Sequence, residues 1–226
     1  MSRNGRLATV LGLFVVAVGI VVAAVAAFLT PGIPGGVVKF TNGAPGQPVS
    51  LTVQTVGAIG FGNHPTWVAY LVKAPSGKWV HSTTWQLPAN TVVHMTILQY
   101  DSGSPLRNQQ WGQITGTIGN TMSLNGTTTS AYNSNTGNGV GHTFTVPALG
   151  IDIPLVGISG SSTKVCSQAP CGMNFDHNTI TFSFKTPGAG NYSWQCFVPC
   201  GLGYLFGNGG PMSTQGYMGG FLKVVA

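Results

Sequence analysis

The sequence predicts an all-β domain, folded as a β-sandwich and preceded by one apolar helix. Short runs of alternating or β-branched residues recur between Gly, Pro and Asn turns, a spacing typical of sandwiches and barrels. The chain contains 34 Gly and 14 Pro but only 5% charged residues and no glutamate. This composition suits strands and turns and does not suit a helical bundle. The third observation is a nearly unbroken apolar run over residues 7–29.

The N-terminal run divides the chain into four parts. We expect a cytoplasmic N-terminus over residues 1–6, a transmembrane helix over 7–29, a linker over 30–36 and an extracytoplasmic domain over 37–226. About 20 apolar residues span a bilayer, and Arg3 and Arg6 place the N-terminus on the cytoplasmic side. The alternative is a signal peptide cleaved near Ala26, but the run is longer than the apolar core of such peptides.

Seven segments carry strand patterns within the domain. They are residues 49–56, 67–73, 91–100, 142–146, 179–185, 190–196 and 219–225. Residues 115–141 are rich in Asn, Thr, Ser and Gly and are predicted to form a long loop. The role of residues 60–90 is not indicated by their pattern. Trp67, Trp79 and Trp85 are interpreted there as packing aromatics, with an electron-entry or docking patch as the alternative.

The distribution of charged residues indicates which partners and surroundings to expect. The net charge of +6 is thinly spread, with no basic cluster beyond Arg3 and Arg6, so the sequence predicts no nucleic-acid partner. The three acids, Asp101, Asp152 and Asp176, leave few groups to titrate near pH ~4. This indicates either an acidic exterior or a drift toward uncharged polar surfaces.

The four cysteines fit an oxidising exterior and form two local pairs. Cys166 and Cys171 lie in a Ser/Gly/Pro-rich loop and are predicted to form a disulfide. For Cys196 and Cys200 two interpretations remain open: thiolates that bind copper, or a disulfide that braces their loop.

Two motifs carry a resemblance to a known family. The segment His142-Thr-Phe-Thr-Val-Pro-Ala-Leu-Gly is followed, some 50 residues on, by Cys196-Phe-Val-Pro-Cys200-Gly-Leu-Gly, and Met218 precedes the last strand. These segments resemble the extracytoplasmic domain of subunit II of haem-copper oxidases. The resemblance covers roughly residues 90–226 plus the anchor. It implies a cupredoxin-like Greek-key β-sandwich with a copper site.

The resemblance implies the candidate copper ligands His142, Cys196, Cys200 and Met218, with Met212 as a competitor for the thioether position. The site departs from the family pattern. Tyr204 stands where the second histidine is expected, Val198 replaces the family's glutamate, and residues 205–216 resemble an insertion. No histidine follows His177. We therefore expect no dinuclear copper centre, and at most a single copper ion.

The remaining histidines have no ligand-like spacing. His64 and His81 have no assigned role. His94 lies within an apolar strand and is expected to be a hydrogen-bonded core residue, and His177 is expected in a turn.

The function predicted from these features is a membrane-anchored, subunit II-like component of a respiratory or related redox complex. Its partners would be the membrane and other subunits of that complex. Its copper site would either be degenerate, leaving a structural subunit, or hold one copper ion for electron transfer or delivery. The alternative is a non-redox interaction module stabilised by disulfides. No nucleophile elbow, phosphate loop or His-Glu-x-x-His motif occurs, so catalysis by the chain alone is not expected.

Overall fold

The computed structural model describes residues 3–29, 35–40, 46–201, 209–212 and 214–226. The chain divides into two compact units, Met1–Gly32 and Ile33–Ala226. The first unit is the helix α1, Arg3–Leu29. Its span Ala8–Ala26 has a mean hydropathy of 2.8 and none of it is buried. This helix is long and apolar enough to cross a membrane, and a signal sequence has the same character.

The second unit is a two-layered β-sandwich with 13 strands among its described residues. The strands are β1 Val37–Lys39, β2 Val49–Val56, β3 Ala69–Lys73, β4 Trp79–Val80, β5 Thr84–Pro88, β6 Val92–Gln99, β7 Met122–Leu124, β8 Thr127–Thr129, β9 Val140–Val146, β10 Ile151–Val156, β11 Asn178–Lys185, β12 Gly190–Gln195 and β13 Gly219–Val225. Three short 3₁₀ helices cover Gln109–Gly112, Ile118–Asn120 and Pro147–Leu149.

One sheet has the order β1-β5-β13-β12-β9-β10, and the other has the order β4-β3-β2-β6-β11-β7-β8. Strands distant in the sequence lie side by side, and both sheets are mixed, with β2 parallel to β6 and β13 parallel to β5. The domain is thus a cupredoxin-like Greek-key β-sandwich, as the sequence predicts. Because β12 pairs with β9 through Gln195 and Thr145, residues from the two motifs of the sequence meet at one end of this sheet.

Stacked aromatic rings occupy the core between the sheets. Trp85 and Trp194 stack at a centroid distance of 4.9 Å, and Tyr70 meets Trp194 edge-on at 4.8 Å. Both indole N–H groups are satisfied by backbone carbonyls: that of Trp85 donates to Ser82 and that of Trp194 to Thr83. These large buried rings remove much apolar surface from water. Trp194 belongs to β12, so this packing fixes β12 against the core.

Several expectations for the strands are confirmed, and others are wrong. The runs 49–56 and 219–225 are strands at the predicted bounds. Strand β10 lies outside the segments predicted as strands. Pro154 within it is compatible with its place at the edge of the sheet, since proline is disfavoured in central strands. Residues 115–141 are not one loop, since β7 and β8 form a hairpin whose turn, Asn125-Gly126, has positive φ at both residues. An Asn-Gly pair is a strong hairpin signal, so the sequence contained this information.

The histidine in β6 also differs from expectation. His94 is exposed and bonds to the hydroxyl of Ser183 at 2.8 Å. The strand alternates between faces, so that Val93 and Met95 point into the core and His94 points away. His177 lies just before β11, where its ring contacts the Phe175 carbonyl at 2.8 Å.

The predicted disulfide between Cys166 and Cys171 is present. Both residues belong to a second, smaller apolar cluster outside the main core, together with Tyr100 and Leu71. Trp67 and Trp79 pack against this cluster, while Trp85 lies in the main core. Packing roles for the three tryptophans of the unplaced segment are therefore confirmed.

Candidate metal centre

The cysteine loop begins where β12 ends and is attached to its neighbours by backbone hydrogen bonds. The N–H of Cys196 donates to the Met218 carbonyl at 2.8 Å, so β13 continues to support the chain beyond β12. The N–H of Phe197 donates to the Thr143 hydroxyl at 2.9 Å, which ties the loop to β9. The Thr143 N–H also points at the Cys196 sulfur at 3.4 Å. Contacts with β9 and with the residue before β13 therefore fix the position of Cys196 at the end of β12.

His142, Cys196 and Cys200 converge at this end of the sandwich. The His142 Nδ1 atom lies 3.9 Å from the Cys196 Sγ, which lies 3.3 Å from the Cys200 Sγ. One donor atom from each residue lies within 4.8 Å of the others. Metal–nitrogen and metal–sulfur bonds of ~2.0–2.3 Å in a tetrahedral shell place donors roughly 3.3–3.8 Å apart. The 3.3 Å separation lies in this range and the 3.9 Å separation just above it, although 53 residues of chain separate His142 from Cys196.

The thioether that the structure places beside the thiols is that of Met212. Its Sδ lies 3.1 Å from the Cys200 Sγ and 3.4 Å from the Cys200 backbone nitrogen. The side-chain amide of Gln195 donates to the Met212 carbonyl at 2.9 Å and so holds this residue near the loop. The sequence-based choice, Met218, is buried in the same apolar core as Cys196, and its carbonyl accepts from the Cys196 N–H. Its role as a ligand stays a prediction, and the thioether seen in contact with a thiol is that of Met212. Tyr204 lies outside the described residues.

Asp101 orients the histidine, and sequence reasoning did not include it in the site. Its Oδ2 atom lies 2.9 Å from the His142 Nε2 atom. A proton on Nε2 shared with this carboxylate directs Nδ1, the other ring nitrogen, toward the sulfur atoms. Metal-binding histidines commonly have such a carboxylate partner, which fixes the tautomer and raises ligand basicity. Asp101 follows β6 on the opposite sheet, and no local pattern in the sequence indicates its partner.

The electrostatics of the cluster favour an imidazolium–thiolate pair in the metal-free protein. Burial alone would lower the pKa of His142, but hydrogen bonds and charges from Asp101 and Cys196 outweigh it and raise the pKa to about 9. Burial alone would raise the pKa of Cys196, but hydrogen bonds from Cys200 and His142 and the positive ring lower it well below the usual value. The hydrogen bond to Cys196 and then burial raise the pKa of Cys200.

The inner side of the cluster is apolar and closed. Cys196 is completely buried, and His142 is 1% exposed. The Tyr70 hydroxyl donates to the Thr143 carbonyl at 3.1 Å, and burial followed by the nearby cysteines raises its pKa. Cys200 is only partly buried, so the cluster has a closed side and an accessible side.

The donor set fits one soft metal ion. It comprises one imidazole nitrogen, two thiol sulfurs and one thioether sulfur, and thiolates and thioethers select Cu(I) over hard cations. A Cys/His set alone also suits zinc, but a thioether is typical of copper sites. Among the described residues, this is the single cluster of three or more His, Cys or acidic side chains close enough to share a metal ion. Both cysteines of the cluster are free thiols in the structure.

The other histidines lie outside the cluster. His64 stacks on Trp67 at a centroid distance of 3.7 Å. His81 lies 2.6 Å from the Gly216 carbonyl through Nε2, and burial lowers its pKa.

No protein-family profile matches the chain, and no curated protein matches it. Among solved structures, a copper protein called rusticyanin is 18% identical, with 90% of this chain and 94% of that chain covered and a TM-score of 0.35. Rusticyanin from Thiobacillus ferrooxidans is 16% identical over 87% of this chain and 86% of its own, with a TM-score of 0.33. Reduced rusticyanin is 15% identical over 81% and 87%, with a TM-score of 0.29. Similarities of this size carry no argument about the site.

Proposed function

We propose that the chain is a membrane-attached, cupredoxin-like electron-transfer protein that holds one copper ion. The ligands are His142, Cys196, Cys200 and Met212. One observation carries this proposal: four soft donors from three separate parts of the chain converge at spacings that suit one metal shell. The Asp101 carboxylate, which holds the ring with Nδ1 toward the sulfur atoms, supports it independently.

A single ion fits these residues better than a dinuclear centre does. A dinuclear centre of the subunit II type requires an imidazole for each metal. The described part of the chain offers one histidine at the site, and the sequence has no histidine after His177. The second thiol therefore serves the same ion as the first.

The chain's contribution to electron transfer is a rigid set of ligands, of which His142 and Cys196 are buried. Copper would supply one-electron chemistry by alternating between Cu(I) and Cu(II). Cys196 is held by backbone hydrogen bonds from β9 and to β13, and the stacked rings of Trp85 and Trp194 lie in the same core. Ligands fixed in this way move little between oxidation states, which suits electron transfer.

The apolar helix supports a place at a membrane. As an uncleaved anchor, α1 would keep the domain at the extracytoplasmic face, with Arg3 and Arg6 on the cytoplasmic side. The similarity of the two motifs to oxidase subunit II makes a membrane redox complex the proposed setting, with its other subunits as partners. An acidic exterior is part of the same proposal, since the described carboxylates are few and each is engaged by a side chain or backbone group.

Copper loading of the full chain in detergent tests the proposal. The reduced protein is incubated with Cu(I), freed of excess metal and analysed for copper, zinc and free thiols. We expect one copper per chain, and a thiolate-to-copper charge-transfer absorption after oxidation. His142→Ala and Cys196→Ser should each weaken copper binding and shift this absorption, and replacing Cys196 and Cys200 together by serine should abolish it. Met212→Leu should lower the copper affinity. Met173→Leu is its matched control and should bind copper as the parent protein does, because Met173 is 67% exposed.

Two outcomes would contradict the proposal. Two copper ions per chain with a mixed-valence paramagnetic signal would indicate a dinuclear centre. Absence of copper, together with a Cys196–Cys200 disulfide in the purified protein, would favour a structural subunit or a non-redox interaction module.

A further inference from the structure

A cavity of about 170 Å³ lies on the accessible side of the donor cluster. Residues 101–104, 140–142 and 198–201 line it, so it lies between the loop after β6, the start of β9 and the cysteine loop. His142 and Cys200 both form part of its wall. A small molecule in the cavity would therefore lie beside the partly buried Cys200 and next to the buried His142.

The cavity walls are held by backbone contacts. Ser104 and Val140 form an isolated antiparallel bridge, and the N–H of Val140 donates to the Ser104 carbonyl at 3.2 Å. A Cβ added to Gly141 would lie 2.4 Å from the Ser102 carbonyl oxygen, so the two segments already touch. Walls fixed in this way make the cavity a preformed feature.

The cavity is also open to solvent. Ser102 and Ser104 at its wall are exposed, whereas Cys196 on the inner side of the cluster is completely buried. Its volume is well above what one water molecule needs. A ligand reaches the cluster from this side without any displacement of the core.

We infer that this cavity admits a neutral imidazole as an additional ligand to the bound metal. The inference rests on the proposed function, because it requires a metal at the donor cluster. Imidazole nitrogen suits copper, and the cluster as described offers one such nitrogen against three sulfurs.

The charge around the cavity selects a neutral donor over an anion. The carboxylate of Asp101 lines the cavity, and its Oδ1 and Oδ2 atoms face the Ser102 N–H and the His142 ring. With Cu(II) bound, the two thiolates balance the charge of the ion, and the Asp101 carboxylate is the negative charge that remains at the cavity wall. An anion of comparable size, such as azide, would be repelled at this position, whereas imidazole carries no charge above its own pKa.

The test is a titration of the copper-loaded, oxidised full chain in detergent with imidazole at pH 8, with azide as the anionic probe. We expect a saturable shift of the charge-transfer absorption and additional nitrogen hyperfine structure in the electron paramagnetic spectrum, with copper content unchanged. Azide should produce neither change at the same concentration. A blocked tripeptide with one central histidine then distinguishes sources: a matching shift indicates a partner's histidine, and no shift indicates a free small molecule.

Two variants make the test specific to the cavity. Ser104→Phe narrows the cavity and should weaken imidazole binding at least 10-fold. Ser167→Phe is the matched control, since Ser167 is exposed in the disulfide loop away from the cavity lining, and it should bind imidazole as the parent does.

Failure of the inference and failure of the proposed function give different results. A copper-loaded protein whose spectra do not respond to imidazole, or that loses its copper to imidazole, overturns the inference alone. An equal imidazole affinity in Ser104→Phe does the same. Copper bound only when imidazole is present supports the inference and shows that the chain's own ligands are insufficient. Absence of copper under both conditions overturns both proposals.

Discussion

Copper binding should release about two protons at pH 7, and this count follows from the cluster. A ligand must lose its proton before it binds a metal. With a pKa of about 9, His142 carries a proton at pH 7 that copper displaces. Cys200, with its raised pKa, loses a second proton, whereas Cys196, with its lowered pKa, is already a thiolate.

The proton count sets the pH dependence of the affinity. Below the pKa of His142, each released proton contributes a factor of ~10 per pH unit, or about 1.4 kcal/mol. Two protons therefore raise the apparent Cu(I) affinity ~100-fold per pH unit between pH 6.5 and pH 8.5. Above pH ~9 His142 is neutral, and the slope should fall toward one. Cu(I) should therefore bind more tightly at higher pH.

Asp101→Asn tests the origin of the slope. An amide keeps a hydrogen-bond acceptor for the His142 ring but removes the negative charge that raises its pKa. We expect the slope near pH 8 to fall from about two toward one. Affinity should also fall about 10- to 100-fold at high pH, the usual cost of removing an outer partner of a metal ligand.

Competition with a Cu(I) chelator of known affinity across pH 6.5–9 measures the slope, and calorimetry in buffers of different ionisation enthalpy counts the protons directly. A count near zero in the parent protein would refute the reasoning about His142 and Cys200. An unchanged slope in Asp101→Asn would show that the carboxylate does not raise the pKa of the ring.

The remaining predictions concern the thioether, the fold and the missing histidine. Met212→Leu should lower copper affinity at least ~10-fold, whereas Met218→Leu should leave the affinity unchanged and cost less than ~1.5 kcal/mol of stability. Chelator competition measures the affinity, and thermal unfolding measures the stability. A larger loss of affinity in Met218→Leu than in Met212→Leu would restore the sequence-based choice. Gly220→Ala should destabilise the domain by about 1–3 kcal/mol, because the new Cβ would lie 1.8 Å from the Thr83 carbonyl oxygen. Gly188→Ala is the control and should not destabilise the domain, since a Cβ there has nothing within 4 Å. Equal melting temperatures of the two variants would contradict the packing of β13 on β5. Tyr204→His should raise copper affinity and add a second nitrogen to the paramagnetic spectrum if the scaffold lacks one ligand, and an unchanged spectrum would count against that interpretation.

The sequence by itself determined the features that depend on local pattern. Alternation and turn residues define strands such as Val49–Val56 and Gly219–Val225, because side chains on a strand repeat every two residues. The continuous apolar run defines the helix Arg3–Leu29, and the short loop between Cys166 and Cys171 indicates their disulfide. Each of these features depends on residues that lie close together in the sequence.

Only the tertiary structure decided which side chains share the candidate metal site. Met212 and Met218 both lie in the last segment of the chain, and their spacing does not tell which sulfur turns toward Cys200. The contact of Met212 depends on the fold of the loop, where the hydrogen bond from Gln195 holds Met212 beside Cys200.

The partnership of Asp101 with His142 is a further example. The two residues lie 41 positions apart and belong to segments of different sheets. Their contact depends on how the two sheets pack and on the close approach of residues 101–104 to the start of β9. A single sequence contains no local signal for a pair of this kind. The protonation of the ring, and with it the pH dependence of metal binding, is therefore a property of the packed sandwich, because a carboxylate changes a histidine's pKa only when folding brings the two groups together.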